Sequence, residues 1–361
     1  MSGEQPVGAE EYIDEILNAL DFSSLNDFLY SHIRTEMTFK ELVTQISLNG
    51  LDALNAENIC TFFYDMLMYE LSIAKPIFIK MLCFSILFSV IHKLLSSKSK
   101  YISNIGFLTI YTTLMVLLMQ SFFLVRDIAL DGINKLLAFL NALIPTYAIT
   151  LVFSGNSVSG AMLYEVAFFL VYLVELIIKS ILSPAIHVFI LVLFLNHLFD
   201  GDKLSKLAQF LEKGIQIVLK GAFGAVIGLG VVQSMITPAK DRLAGNVLLS
   251  GLSSVPGIGN AIGSAGELLL SCGMLIKNSV GVIGLIILVI LAVIPLLKIA
   301  CFWLMYHGLS IVLQPIADSR ITECVAGVAR GCDLYLRIVI YSMLLFFVLF
   351  SMVSVATSFV F

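Results

Sequence analysis

A chain of 361 residues that is 59% hydrophobic and 13% charged lies far from soluble domains, in which about a quarter of residues are charged. Apolar runs of about 18 residues or more recur, the mark of membrane-spanning helices, so the expectation is an all-α, polytopic helical membrane protein. The charge is divided: residues 1–74 hold 13 acidic side chains against Arg34 and Lys40, net −11, whereas the remainder is net +7.

Residues 1–74 read as a small amphipathic helical head. Ile13, Ile16, Leu17 and Leu20 repeat at the spacing of one helical face. "TFKE" at Thr38–Glu41 is a capping box opening a helix through Leu42 and Ile46. A head this small needs the membrane surface or a partner to lean on. The opening "MSGEQPVGAEEY" has neither the basic nor the apolar part of a signal peptide.

The polytopic membrane domain, 75–361, is expected to hold seven to nine membrane-depth helices, some kinked or re-entrant. Pro76–Leu95 is the first span. "HKLLSSKSK" after it carries Lys93, Lys98 and Lys100 without an acid, which places that loop in the cytoplasm and the head outside. Ile105–Val125 returns, 126–137 lies amphipathic in the interface, and 138–154 is a shorter span kinked at Pro145. Ala161–Leu182 and Ala185–Phe199 are expected to pair around Ser183–Pro184. An amphipathic stretch, 200–213, precedes the span Ile215–Ile236, and Thr237–Pro238 opens a new helix. Residues 280–316 are two spans or one bent at Pro295. Residues 317–337 are polar enough to leave the bilayer, and Ile338–Phe361 closes the chain.

The motifs of common enzymes are missing. There is no G-x-x-x-x-G-K-[ST], no HExxH and no GxSxG, and the five histidines never fall four apart. The six cysteines form no CxxC and act as small apolar residues. No catalytic, cofactor or metal residue is therefore expected, and the dispersed basic residues exclude a nucleic-acid surface.

What remains is glycine and intramembrane charge. "GLSSVPGIGNAIGSAG" (251–266) holds five glycines, and Gly259 and Gly263 form GxxxG behind Pro256 and Gly257. It reads as a re-entrant packing or pore element, or as a surface turn. Gly224 and Gly228 repeat the spacing, so the two glycine-rich segments are expected to pack on each other, on a second copy or on a partner. Among the charges, Glu175 and Lys179 are an i,i+4 pair. Glu165 has no local cation and suits a polar cavity or the interface. Lys277 and Asn278 anchor an interface or face a polar interior. Lys220 and Lys298, near span ends, snorkel.

The second half then resembles the stage III sporulation protein AE family. The resemblance rests on "NALIPTYAITLVFSGNSVSGAM" (141–162), "GVVQSMITPAKDRLA" (230–244), "SSVPGIGNAIGSAGELLLSCGMLIKNSVGVIGL" (253–285) and "PLLKIACFWLMYHGLSIVLQPIADSRITEC" (295–324), and covers roughly residues 75–361. It implies an integral protein of the bacterial cell membrane, in the mother-cell membrane around the forespore. It implies an extracytoplasmic head behind a signal peptide, so this start is expected to lie downstream of one, or the first span to carry the head across. Its implied partners are the other membrane proteins of the stage III sporulation operon, a separate ATPase subunit and a forespore-side protein. Together these form a secretion-like channel. The resemblance implies no catalytic residues. A self-sufficient small-molecule permease and a scaffold without a conduit are the alternative readings.

Overall fold

The computed structural model describes residues 16–18, 20–32, 38–49, 56–96, 100–153, 169–170, 172–198, 203–252 and 259–356, with backbone alone over 32, 45–49, 56–63, 65–66, 92, 95–96, 100–104, 151–153, 229–252, 259–273 and 348–356. The described residues are helical throughout, with short turns between.

The local signals near the start of the chain act as written. Helix α1 spans Ser23–His32 and α2 spans Phe39–Asn49. Glu41 N–H donates to Thr38 Oγ1 at 3.2 Å and Thr38 N–H donates to Glu41 Oε2 at 2.9 Å, a complete capping box. Phe39 N–H donates to Asn26 Oδ1 at 2.8 Å, so α1 also caps α2. Ile16, Leu17 and Leu20 are buried, and Ile13 lies outside the described residues. The described part of 16–49 leans on the rest of the chain. Phe28 meets Phe139 at 5.4 Å between ring centres, and Thr146 Oγ1 donates to the Asp21 carbonyl at 3.3 Å.

Among the described residues the helices of the body are longer than the sequence suggests. Helix α3 spans Ala56–Ser96 and passes residue 74 without a break. Helix α4 spans Lys100–Phe153, through the segment expected to lie in the interface and through Pro145. Residues 126–137 stay in the helix because their two faces have separate uses. Ala129, Ile133 and Leu136 are buried, while Arg126–Asp127 and Asp131–Lys135 pair on the exposed side. Residues 172–177, a π turn at Ile178–Leu182 and α5, Ser183–Leu198, are also continuous. Pro184 was expected to divide two spans. Instead Ser183 N–H donates to the Ile178 carbonyl, and the widened turn makes room for the proline ring. Helix α6 spans Ser205–Leu252 and continues through Thr237–Pro238, where a new helix was expected. Helix α7 is Gly259–Leu313, a single helix through Pro295, and α8 is Ser319–Ala356.

Among the described residues four helices are long and apolar enough to cross a membrane: Leu67–Ile91, Ile105–Thr150, Tyr172–Leu198 and Met274–Leu313. At 1.5 Å per residue α4 and α7 are about 80 Å long, well over twice a hydrocarbon core of about 30 Å. Each therefore extends beyond one bilayer.

Cross-helix contacts set the directions. Glu70 of α3 pairs with Lys298 of α7, and Ser89 Oγ donates to the carbonyl of Ile316 just beyond α7 at 2.8 Å, so these two helices run parallel. Tyr111 Oη donates to the Phe194 carbonyl at 2.8 Å and Phe122 packs on His187, so α4 and α5 are antiparallel. Asn196 Oδ1 accepts from Leu204 N–H at 2.7 Å and closes the turn from α5 to α6. Helices α3 to α8 thus alternate in direction.

Helix α8 is the hub, packed on α4, α5, α6 and α7. Residues 317–337, expected outside the bilayer for their polarity, nevertheless pack closely on the bundle: Ile321, Cys324, Val325, Val328, Cys332 and Tyr335 are fully buried. The charges occupy one face only, and averaging over the segment conceals the apolar one. Gly327 and Gly331 let the partners approach. A Cβ on Gly331 would lie 2.6 Å from both Ile190 Cδ1 and Phe122 Cε2, and one on Gly327 would lie 3.4 Å from Leu193 Cδ1. The α4–α7 crossing is closer still in kind, because a Cβ on Gly132 would lie 2.6 Å from Cγ of the rigid Pro295 ring.

Candidate functional site

The polar face of α8 is the most extended charged feature among the described residues at the level of the apolar helices. Arg320 sits 5.0 Å over the Phe107 ring, Cys324 contacts Tyr111, and Tyr335 lies 5.6 Å from Phe122. Residues 320–335 therefore lie alongside 107–122 of α4, inside the candidate span Ile105–Thr150. Glu323, Arg330 and Arg337 recur every seven residues on the opposite face, with Asp333 beside them. Their side chains remain 35–55% exposed. Arg330 Nη2 is 3.8 Å from Glu323, and Arg337 Nε donates to Asp333 at 2.8 Å. Helices α6 and α7 have no packed interface with each other among the described residues.

Behind that face, polar side chains join the helices in pairs. At the α4–α5–α8 junction Ser183 Oγ and Tyr335 Oη are 3.0 Å apart. His187 Nδ1 lies 2.7 Å from the Ser183 carbonyl; a carbonyl only accepts, so Nδ1 carries the proton. The imidazole stacks on Phe123, which Arg126 covers at 5.0 Å. Tyr306 of α7 donates to Ser121 of α4. These contacts are short and local and join the helices in pairs, while His187 Nε2 is buried with no hydrogen-bond partner among the described residues. A narrow cleft between residues 174–182, α6 and α8, lined by residues such as Leu182, Leu219 and Leu345, is apolar and offers no chemistry. Among the described residues no group of three His, Cys, Asp or Glu is placed to hold a metal.

The residues singled out from sequence scatter. Glu175 and Lys179 form their i,i+4 ion pair, half-exposed on the helix before the π turn. Gly224 and Gly228 are exposed on α6, and a Cβ on either would meet nothing within 4 Å. They pack against nothing among the described residues. Gly259 and Gly263 lie in the first turns of α7, where backbone alone is described. Glu165, Pro256 and Gly257 lie outside the described residues. Lys277 is buried at the level of Ile276 and Val280, and Asn278 is exposed. Lys298, expected to snorkel, instead reaches Glu70 at 3.3 Å, and Lys220 is exposed.

Sequence reasoning passed over Gly132, Gly327, Gly331 and the α8 charges. The signal was present in "GVARG", a GxxxG flanked by small residues, but its charged neighbours masked the apolar packing face.

A sequence model of the family described as Stage III sporulation protein AE matches residues 37–357. Stage III sporulation protein AE of Bacillus subtilis (strain 168) is 25% identical over 250 residues, covering 68% of this chain and 62% of that protein. The match thus spans less than two thirds of the relative's length. No solved structure matches.

Proposed function

Because the chain belongs to the stage III sporulation protein AE family, and so has a role in sporulation, we propose that it is the membrane core of a transport complex linking mother cell and forespore. The charged face of α8 is the wall of its polar path. One observation carries this reading: Glu323, Arg330, Asp333 and Arg337 run along the hub helix beside apolar spans. A charge at the centre of a lipid-facing helix costs about 2.5–3.5 kcal/mol on insertion scales, so such a row requires water or protein opposite it.

The protein lies in the mother-cell membrane around the forespore. Residues 1–74 form the extracytoplasmic head and 75–361 the membrane domain. It works with the other membrane proteins of its operon, a separate ATPase subunit and a forespore-side partner. The open glycines of α6, Gly224 and Gly228, serve contacts between chains, as does the Gly257–Gly263 stretch. No catalytic step is assigned to it.

The test replaces Arg330 and Arg337 by Leu, singly and together, in a sporulating host. Forespore gene activity and membrane accumulation are followed side by side. Activity lost at normal accumulation, and kept in the Arg→Lys variants, is the expected result. Unchanged activity in the double variant overturns the reading. Saturable solute uptake by the purified chain alone in liposomes would replace it with a permease.

A further inference from the structure

Helix α3 turns two regular rows of side chains in different directions. Ala74, Met81, Ser85 and Ser89 are buried towards α4 and α7. Pro76, Lys80, Cys83, Leu87, Val90 and Leu94 face outward, and all are exposed. The outward row steps by four, three, four, three and four residues, the repeat of a helix that packs along a second helix. Lys80 stands within it.

Within Leu67–Ile91, Lys80 lies about 16 Å from one end and about 20 Å from the other at 1.5 Å per residue. A lysine side chain snorkels only part of that distance, so lipid phosphates are out of its reach. Lys75 differs, being nearer the end that exposes Tyr64 and Tyr69, residues of the kind that sit at the membrane surface. Lys80 has no anionic partner among the described residues.

The chain itself has little to offer a second copy. In the four candidate spans every described carboxylate already has a cation: Glu70 with Lys298, Asp127 with Arg126, Asp131 with Lys135, and Glu175 with Lys179. We propose that the outward row of α3 docks a transmembrane helix of a different protein, which carries one Asp or Glu at the depth of Lys80 within an otherwise apolar 4–3 repeat. The carboxylate sets register, as a single polar residue does in a coiled-coil core. The proposal rests on α3 crossing the membrane and not on a conduit along α8.

The test places a photoreactive amino acid at Leu87 in the full-length protein, in membranes of the sporulating host. The expected product is one discrete adduct to a membrane segment of another protein bearing an Asp or Glu. It persists in Lys80→Arg and weakens about three- to thirtyfold in Lys80→Leu, the range of an interhelical polar contact in lipid. Lys80→Glu combined with reversal of the partner's carboxylate restores it. Adducts to a second copy, to lipid alone, or to a segment without a carboxylate overturn the proposal. So does labelling of Cys83 by a hydrophilic maleimide in intact membranes, which would place water at that face. Because the adduct's identity is read first in the unsubstituted Lys80 protein, poor accumulation of a variant leaves the result interpretable. Forespore gene activity is not part of the readout, so the α8 reading stands or falls separately.

Discussion

Helices α6 and α8 each carry two glycines four residues apart, and the pairs have opposite surroundings. Gly327 and Gly331 face α5 and α4 across distances that leave little or no room for a methyl group. Gly224 and Gly228 face open space. The motif is the same and the neighbours are not. GxxxG states that a helix permits close approach; whether anything approaches depends on the rest of the bundle. The pair on α8 is used within the chain, and the pair on α6 meets nothing among the described residues.

The strongest way to break this comparison lies at the closed positions. Gly132→Ala and Gly331→Ala should each destabilise the protein by about 1–3 kcal/mol, read as a lowered melting temperature in detergent. Gly132 should be the worse of the two, because Pro295 presents a rigid ring whereas Ile190 can change rotamer. Equal stability in both variants would mean that the α4–α7 and α4–α5–α8 crossings are looser than described.

Removing an interhelical charge should cost somewhat less. Glu70→Gln should destabilise by about 1–2 kcal/mol, since Lys298 is partly open to solvent and keeps some of its solvation. Exchanging the two residues should recover part of the loss. No recovery would show that the pair serves something other than α3–α7 registry.

At the open positions the sign should reverse. Gly224→Ala and Gly228→Ala in the isolated protein should be neutral or stabilising by up to about 1 kcal/mol, because alanine is the better helix former. In native membranes Gly224→Leu should reduce co-purification of partner chains. Unchanged co-purification would leave α6 facing only lipid. Gly327→Ala should fall between the two classes, within about 0.5 kcal/mol of neutral, because Leu193 can give way.

The smallest effect belongs to the head. Asp21 accepts from Ser23 N–H at 2.9 Å, and the hydrogen bonds from Ser23 hold its carboxyl below the usual carboxylate range. A depressed folded-state value contributes stability above the unfolded value, and that contribution is lost as the pH falls through the folded one. Asp21→Asn should therefore flatten the acid limb of head unfolding slightly, with no change at neutral pH in the packing of Phe28 on Phe139.

Much of the chain's character was legible without coordinates. The helical membrane body follows from long apolar runs. The capping box at Thr38 and Glu41, the Glu175–Lys179 pair and the buried Ile16, Leu17 and Leu20 follow from helical periodicity, which fixes what residues three or four apart can do for one another. Proline misled in two places, because a π turn at Ile178–Leu182 accommodates Pro184 and α6 simply continues through Pro238.

The tertiary structure alone decided which glycines close a crossing, that residues 317–337 form the hub, and that Lys298 answers Glu70 from a helix more than two hundred residues away. The reason is one of range. A helix carries its near neighbours with it wherever it goes, so contacts at i±3 and i±4 are written in order along the chain. Which faces of separate helices meet depends on how all of them fill the same space, and neither Gly132 nor Pro295 carries any mark of the other.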